Sequence, residues 1–237
     1  QVHLNTRVVA MKETERGIEA KFEGEITQQQ MFDKVLVSVG RQSNSDQLGL
    51  EKTKVERDEE GAIRIDAQCR TADREIFAIG DVAAPPMLAH KATREGKVVA
   101  QVIAGQEVAF DNVAVPAVVF TDPEVAWCGL TETQAKREGR KIKVTRFPWA
   151  ASGRAVAVGR TEGLTKIIFD PETGQVLGVG VVGIHAGELI GEGVLAVEMA
   201  ALAEDLASII HTHPTFSETL GEAAEAFLGQ AMNLYRK

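Results

Sequence analysis

Over residues 17–23 (Gly-Ile-Glu-Ala-Lys-Phe-Glu) apolar and polar positions alternate, the pattern of a strand with one face buried. Residues 2–10 read as a neighbouring strand, with Thr14-Glu15-Arg16-Gly17 as the turn between them. Residues 34–40 (Lys-Val-Leu-Val-Ser-Val-Gly) are largely apolar and predict a strand buried on both faces, ended by the polar run 42–47. This opening piece has strands with no helix between them and is too small to be a domain alone. Residues 75–81 (Glu-Ile-Phe-Ala-Ile-Gly-Asp) predict a short buried strand closing on Gly-Asp. Pro85-Pro86 follows, then a helix over 89–104 with Ala92, Val99, Val102 and Ile103 along one stripe and Gly105 as its stop.

After Asp111 the pattern changes. Strand-like runs recur at 114–120, 142–147, 154–158, 164–169 and 176–184, with the hairpin turn Asp170-Pro171-Glu172-Thr173-Gly174 between the last two. Thr131-Glu132-Thr133-Gln134 has the form of a capping box and predicts a short helix that stops near Gly139. Residues 188–203 predict a long amphipathic helix. Ile190, Val194, Val197 and Ala201 form one stripe and Leu195, Met199 and Leu202 the adjacent one. A last helix is predicted over 217–234. The final section therefore reads as α+β, an antiparallel sheet layered with helices. No internal repeat is found.

The composition narrows the class. Of 237 residues, 44% are apolar and 25% charged, enough to build a core and too apolar for a disordered chain. No apolar stretch approaches the ~20 residues that span a bilayer. The net charge of −8 argues against a nucleic-acid surface, which needs clustered cations. Cys69 and Cys128 form no CxxC or zinc spacing, and two lone cysteines suit a reducing compartment. No signal peptide precedes the first strand. Gln1 runs straight into Val2-His3-Leu4, so the start reads as cut from something longer.

Three segments carry candidate chemistry. Asp81, after Gly80 at a strand end, can accept hydrogen bonds from a ligand's hydroxyls, with glycine allowing close approach; equally, it can simply end the strand in a turn. The helix start at Leu88-Ala89-His90 offers amides to partial negative charge, as any helix start does, and His90 reads as a polar surface residue. The run His211-Thr212-His213-Pro214-Thr215-Phe216-Ser217-Glu218 is the most informative. Glu218 bonded to one nitrogen of His213 would make an acid–base pair. The same Thr215-x-x-Glu218 spacing is a capping box, so Glu218 can instead serve the helix start. His211 and His213 could be two ligands of a metal, but no third ligand has a suitable spacing. Glu188 and Glu192 read as a solvated or helix-start acid pair, and Trp127 and Trp149 as core or interface residues.

Taken together these segments resemble a family. Val39-Gly40-Arg41-Gln42-Ser43-Asn44 resembles the strand and Gly-Arg turn that end the NAD domain of flavoprotein disulfide reductases. Residues 76–82 resemble their second FAD motif, and Leu88-Ala89-His90-Lys91-Ala92 with Glu95-Gly96 the helix after it. Thr121-Asp122-Pro123-Glu124-Val125-Ala126, Ala186-Gly187-Glu188-Leu189-Ile190 and 211–218 resemble their dimerisation domain. The motifs fall in family order over nearly the whole chain. Within this pyridine nucleotide-disulfide oxidoreductase family, His-x-His-Pro-Thr-x-Ser-Glu is most similar to the dihydrolipoamide dehydrogenase branch, C-terminal half. Glutathione reductase usually lacks the first His, and mercuric reductase usually ends in a cysteine pair.

The resemblance implies a fold and roles. Residues 1–47 would be the tail of an NAD-binding α/β domain, 48–112 an FAD-side region, and 113–237 an α+β dimerisation domain of antiparallel sheet and helices. Gly40 and Arg41 would belong to the nucleotide site. Gly80 and Asp81 would meet the FAD ribityl hydroxyls, and Leu88, Ala89 and His90 the flavin's pyrimidine edge. His213 would take a proton from a dihydrolipoyl thiol of the partner subunit's site, oriented by Glu218, and His213–Pro214 would be cis. The implied partners are a second copy and the lipoyl domains and acyltransferase core of a 2-oxo acid dehydrogenase complex. The implied place is bacterial cytoplasm, or the mitochondrial matrix. The departures are the absence of a redox Cys-x-x-x-x-Cys and of a Gly-x-Gly-x-x-Gly for the FAD or NAD pyrophosphate. The chain alone is therefore expected not to turn over dihydrolipoamide, leaving dimerisation and docking as its alternative role.

Overall fold

The computed structural model describes residues 1–234 and resolves them into two units, 1–43 and 44 onward. The first is a three-stranded antiparallel sheet in the order β1 (Thr6–Thr14), β2 (Gly17–Gly24), β3 (Gln28–Phe32). The alternation over 17–23 is realised, with Ala20 buried and Phe22 edge-on to Phe32 at 6.1 Å between ring centres. The first strand begins and ends four residues later than its pattern suggested, and β3, with three glutamines, carries no apolar signature.

The apolar run 34–40 is not a strand. It pairs with nothing among the described residues, and Leu36 and Val39 are more than nine-tenths exposed. A run of β-formers becomes a strand only where neighbours supply its hydrogen bonds. Residues 75–81 depart in the same way. Only Phe77 pairs, in an isolated bridge with Arg70, and Gly80–Val82 close as a 3-10 turn. Ile63, Ala78 and Ala83 form a small core beneath it. Helix α1 (Ala89–Ile103) ends where Gly105, at φ 82°, was expected to stop it.

The rest is a five-stranded antiparallel sheet, built from β4 (Ala117–Val119), β5 (Glu124–Gly129), β6 (Lys143–Pro148), β7 (Leu164–Phe169) and β8 (Val176–Gly183) in the order β4-β5-β8-β7-β6. Its inward positions Ala126, Cys128, Phe147, Ile167, Phe169, Val179 and Val181 are buried. Helix α4 (Ala186–Glu198) covers β5 and β8, and α6 (Glu218–Leu228) covers β6 and β7. Helix α2 (Glu132–Glu138) starts as its box predicts, the Thr131 hydroxyl accepting from the Gln134 amide at 3.1 Å, and stops at left-handed Gly139.

Three elements differ from the sequence pattern. The valine-rich 154–158 is helix α3 (Gly153–Val158), because Ser152 caps it and Gly159 closes it. The predicted helix 188–203 is broken: α4 ends at Glu198, Ala200 turns to φ 53°, and α5 (Ala203–Ser208) begins with Asp205 accepting from the Leu202 amide. Its first stripe faces the core, while Leu195 and Met199 stay exposed. The last helix begins at Glu218 and stops at left-handed Gly229, short of residue 234.

Trp149 is fully buried in this core, and its ring fills the space left by two glycines. A Cβ on either Gly163 or Gly183 would lie 2.2 Å from it. Gly183→Ala is expected to cost about 3 kcal/mol by overpacking. The φ of +148° at Gly183 adds backbone strain to that loss. A lowered urea midpoint with an unchanged slope is the readout.

Candidate active site

The connection from α5 to α6 carries His213, and its downstream end is nailed to the core. Phe216 is buried and stacks on Trp149, with ring centres 4.5 Å apart. Below it runs a buried polar chain. The Trp149 indole donates to Thr165 Oγ1 at 3.0 Å, the Thr165 and Thr219 hydroxyls lie 2.7 Å apart, and Thr219 Oγ1 donates to the Phe216 carbonyl at 2.6 Å. Closed chains of this kind fix one geometry, since each buried group has its partner. The Thr215 hydroxyl donates to the Thr212 carbonyl and tightens the turn around His213–Pro214, which is cis as expected.

On this turn Glu218 does both jobs that its spacing allowed. Its Oε1 lies 2.8 Å from His213 Nδ1, and its Oε2 accepts the Thr215 amide at 2.7 Å. The acid–base pair and the helix-start bond use different oxygens of one carboxylate. Burial pushes the Glu218 carboxyl up, but the Thr215 amide and His213 together outweigh it and hold the group below the ordinary glutamate value. An ionised Glu218 accepts from Nδ1–H, so neutral His213 presents Nε2 as the base. The imidazole is mostly exposed, 77% by side-chain surface, and Nε2 has no protein partner among the described residues.

A depressed carboxylate contributes stability above its unfolded-state pKa and loses it as pH falls through the folded-state value. The stability difference between the chain and Glu218→Gln is therefore expected to be constant at neutral pH and to shrink below the ordinary glutamate range. Chemical unfolding repeated from pH 7 downward checks this.

The two histidines of the motif face different carboxylates. His211 Nε2 lies 2.8 Å from Glu192 Oε1, so Glu192 is not the solvated acid that the helix pattern suggested. Among the described residues no cluster of three or more His, Cys, Asp and Glu could hold a metal ion. One further group went unread in the sequence. Glu222, one turn beyond Glu218, lines a cavity of about 60 Å³ with His213 and Glu218, and its buried Oε2 has no hydrogen-bond partner among the described residues. Burial pushes its carboxyl up. The i, i+4 spacing from Glu218 was the available signal.

The second cluster surrounds the start of α1. Gly80, at φ 71°, brings its backbone against the helix, where a Cβ would meet Ala92 Cβ at 3.1 Å. Its amide donates to Glu95 Oε2 at 2.7 Å. Lys91 Nζ lies 2.6 Å from Glu95 Oε1 and donates to the Ala84 carbonyl at 2.9 Å. Lys91 and Glu95 are both buried, and neither drew notice in the sequence as an ion pair. This pair fixes a turn on which Asp81 stands exposed, next to a helix start where Leu88 supplies no capping side chain. Exposed carboxylate, glycine and helix start together suit a ligand with hydroxyls and a polar edge. The His90 imidazole is engaged elsewhere, its Nε2 2.7 Å from the Pro116 carbonyl. Gly40, at φ 118°, and Arg41 lie exposed in the first unit.

Both cysteines are buried and unpaired. Burial pushes the Cys128 thiol up to about 11 and raises Cys69 as well, the reverse of a reactive thiol. One stretch, Gly178-Val179-Gly180-Val181-Val182-Gly183, has the letter spacing Gly-x-Gly-x-x-Gly without being a pyrophosphate motif. It lies inside antiparallel β8, where a Cβ on Gly178 would sit 2.1 Å from the Leu130 carbonyl oxygen. Gly178 and Gly183 serve close packing, and the stretch is not the strand-to-helix turn that cradles a pyrophosphate.

Two family models match the chain. Residues 1–96 match the pyridine nucleotide-disulphide oxidoreductase model, and residues 115–224 match the dimerisation domain of the same family. The chain belongs to the pyridine nucleotide-disulphide oxidoreductase family. It is similar to the dihydrolipoyl dehydrogenases of Vibrio cholerae (49% identity over 98% of the chain) and Bacillus subtilis (41% over 100%). The chain spans about half the length of the curated relatives it matches, 49% and 50% for these two. Among solved structures it is similar to LpdA from Mycobacterium tuberculosis, with a TM-score of 0.86 and 26% identity over 94% of the chain and 48% of that protein. It is also similar to the HOCl-induced flavoprotein disulfide reductase RclA from Escherichia coli, with a TM-score of 0.82 and 27% identity over 92% of the chain and 50% of that protein. No helix among the described residues is long and apolar enough to cross a membrane.

Proposed function

We propose that this chain is the acid–base and dimer-forming half of a dihydrolipoyl dehydrogenase, which passes electrons from a dihydrolipoyl group through a disulfide and FAD to NAD. The observation that carries this is the His213–Glu218 pair at 2.8 Å, held on a rigid turn with Nε2 directed away from the carboxylate. Nε2 of neutral His213 takes the proton from a dihydrolipoyl thiol as that sulfur attacks a disulfide. Glu218 stabilises the imidazolium that results and fixes which nitrogen reacts. The buried, high-pKa Cys69 and Cys128 are not that disulfide, so the redox pair comes from outside this sequence.

The turn at Gly80–Asp81 and the start of α1 at Leu88, Ala89 and His90 fit one part of FAD. Asp81 would accept from ribityl hydroxyls, and the first amides of α1 would face the pyrimidine edge. Gly40 and Arg41 would belong to the nucleotide side. The chemistry that FAD supplies when bound is transfer of an electron pair between the disulfide and NAD. Residues 1–47 are assigned to the end of an NAD domain, 48–112 to the FAD side and 113–237 to dimerisation. A second copy, with the lipoyl domains and acyltransferase core of a 2-oxo acid dehydrogenase complex, are the partners that follow, and bacterial cytoplasm is the place. The exposed Leu195 and Met199 on α4 favour association, and dimerisation with docking is the role left to the chain by itself.

The test is a chimera in which this chain replaces the matching half of the Vibrio cholerae dihydrolipoyl dehydrogenase. It is expected to bind flavin, to dimerise by light scattering and to reduce NAD with dihydrolipoamide. A flavin-loaded, dimeric chimera with no such activity contradicts the proposal.

A further inference from the structure

We propose that His211 is a positioning residue for the His213–Glu218 pair, clamped in place by Glu192 of α4. The inference rests on the reading of His213 as the acid–base group. His213 is exposed, and one hydrogen bond to Glu218 is its only tether among the described residues. An imidazole held at a single nitrogen keeps its direction only if the backbone on both sides is fixed. Downstream, the stack of Phe216 on Trp149 does this. Upstream, the Ile209 amide closes the end of α5 on the Leu206 carbonyl, but Ile210 is almost fully exposed and the chain from 209 to 212 has no regular structure.

His211 fills that gap. Its side chain is nine-tenths buried, and Nε2 lies 2.8 Å from Glu192 Oε1, on a helix distant in sequence. The other edge of the ring lies on α6. A Cβ on Gly221 would be 3.4 Å from both Cε1 and Nδ1 of His211. Gly221 is three residues past Glu218, on the adjoining turn of the helix. The ring is thus wedged between α4 and the part of α6 that presents Glu218, and the glycine makes room for it. Among the described residues, Glu192 from α4 bonds the His211 ring and Glu218 from α6 interacts with it electrostatically, while His213 stands two residues along its own segment. A clamp here sets where residue 213 leaves the core, and so whether Nδ1 meets Glu218.

The test reads the tautomer of His213 by ¹⁵N NMR of the purified chain, at a pH where the ring is neutral. His213→Gln identifies the signals. The unaltered chain is expected to show the proton on Nδ1. His211→Ala and Glu192→Leu are each expected to lose most of that population to the Nε2–H form, with the Trp149 indole signal unchanged. Glu192→Gln, whose amide oxygen still accepts from His211, should keep the original pattern. If His211→Ala does not fold, Glu192→Leu, changed at a partly exposed helix position, decides alone. Retention of the Nδ1–H form in every folded variant overturns the positioning role. An unaltered chain with the proton on Nε2 would overturn the His213–Glu218 reading itself, a separate result.

Discussion

Replacing His213 by Gln in the flavin-loaded chimera is expected to slow dihydrolipoamide oxidation by about 10²–10⁴-fold, the range of a lost general acid–base group. Glutamine preserves volume and can still bond Glu218 through its amide, but it has no lone pair of suitable basicity for the thiol proton. Because His213 is exposed and away from the core, flavin content and thermal stability should not change. The reverse reaction, in which NADH supplies the electron pair that reduces a lipoyl disulfide to the dithiol, should slow alongside, since the same proton is moved. Glu218→Gln should cost less in rate: it removes the charge that supports the imidazolium yet leaves an acceptor near Nδ1. It should also weaken the start of α6, because Oε2 holds the Thr215 amide. Single-turnover mixing with dihydrolipoamide gives these rates. A loss below about tenfold for His213→Gln removes it from the acid–base role.

Lys91→Met is expected to destabilise the second unit by about 3–5 kcal/mol, the cost of stranding one charge of a buried pair. Lys91 and Glu95 are 6% and 2% exposed, so Glu95 would face its desolvation with only the Gly80 amide as a partner among the described residues. The Ala84 carbonyl loses its donor at the same time. Met keeps most of the volume, which separates the charge effect from a cavity. Lys91→Met combined with Glu95→Leu should recover much of the loss, because two apolar groups of similar size replace a pair rather than break it. The Gly80 amide then lacks its acceptor, so the double variant should still bind flavin less well if Asp81 is placed by that bond. Denaturant unfolding gives the energies, and a Lys91→Met loss under about 1 kcal/mol would mean the pair is not isolated from water.

Local rules carried the legible part of the fold. Thr131 before α2, Gly139 after it and the 170–174 hairpin were each readable because turn and cap chemistry acts within a few residues. Residues 164–169 match β7, where the consecutive apolar residues Ile167, Ile168 and Phe169 are all buried. The misreadings share a cause in distant partners. Residues 34–40 are as strand-like as any in the chain, but no neighbour pairs with them among the described residues. Residues 154–158 are valine-rich and still helical, since a six-residue segment follows its caps, Ser152 and Gly159, over its β-propensity. The break after Glu198 was invisible because it depends on the Ala201 carbonyl accepting from Val176, a strand residue.

The site divides similarly. His213 and Glu218 are five residues apart across a short turn, so their meeting was legible, though not that one carboxylate would serve both imidazole and helix start. The Glu192–His211 pair and the Trp149–Thr165–Thr219 chain join separate elements, and no local pattern points to them. Lys91 and Glu95 had the right i, i+4 spacing, but only burial distinguishes such a pair from a solvated one.

The central claim is a division of labour: the base is in this chain and the redox disulfide is not. The most direct test is an anaerobic assay of the purified 237-residue chain, its mass verified, with dihydrolipoamide and NAD. This division of labour predicts no NADH from the chain alone and NADH formation once the same sequence completes the chimera. Sustained, dihydrolipoamide-dependent NADH formation by the 237-residue chain alone would contradict it.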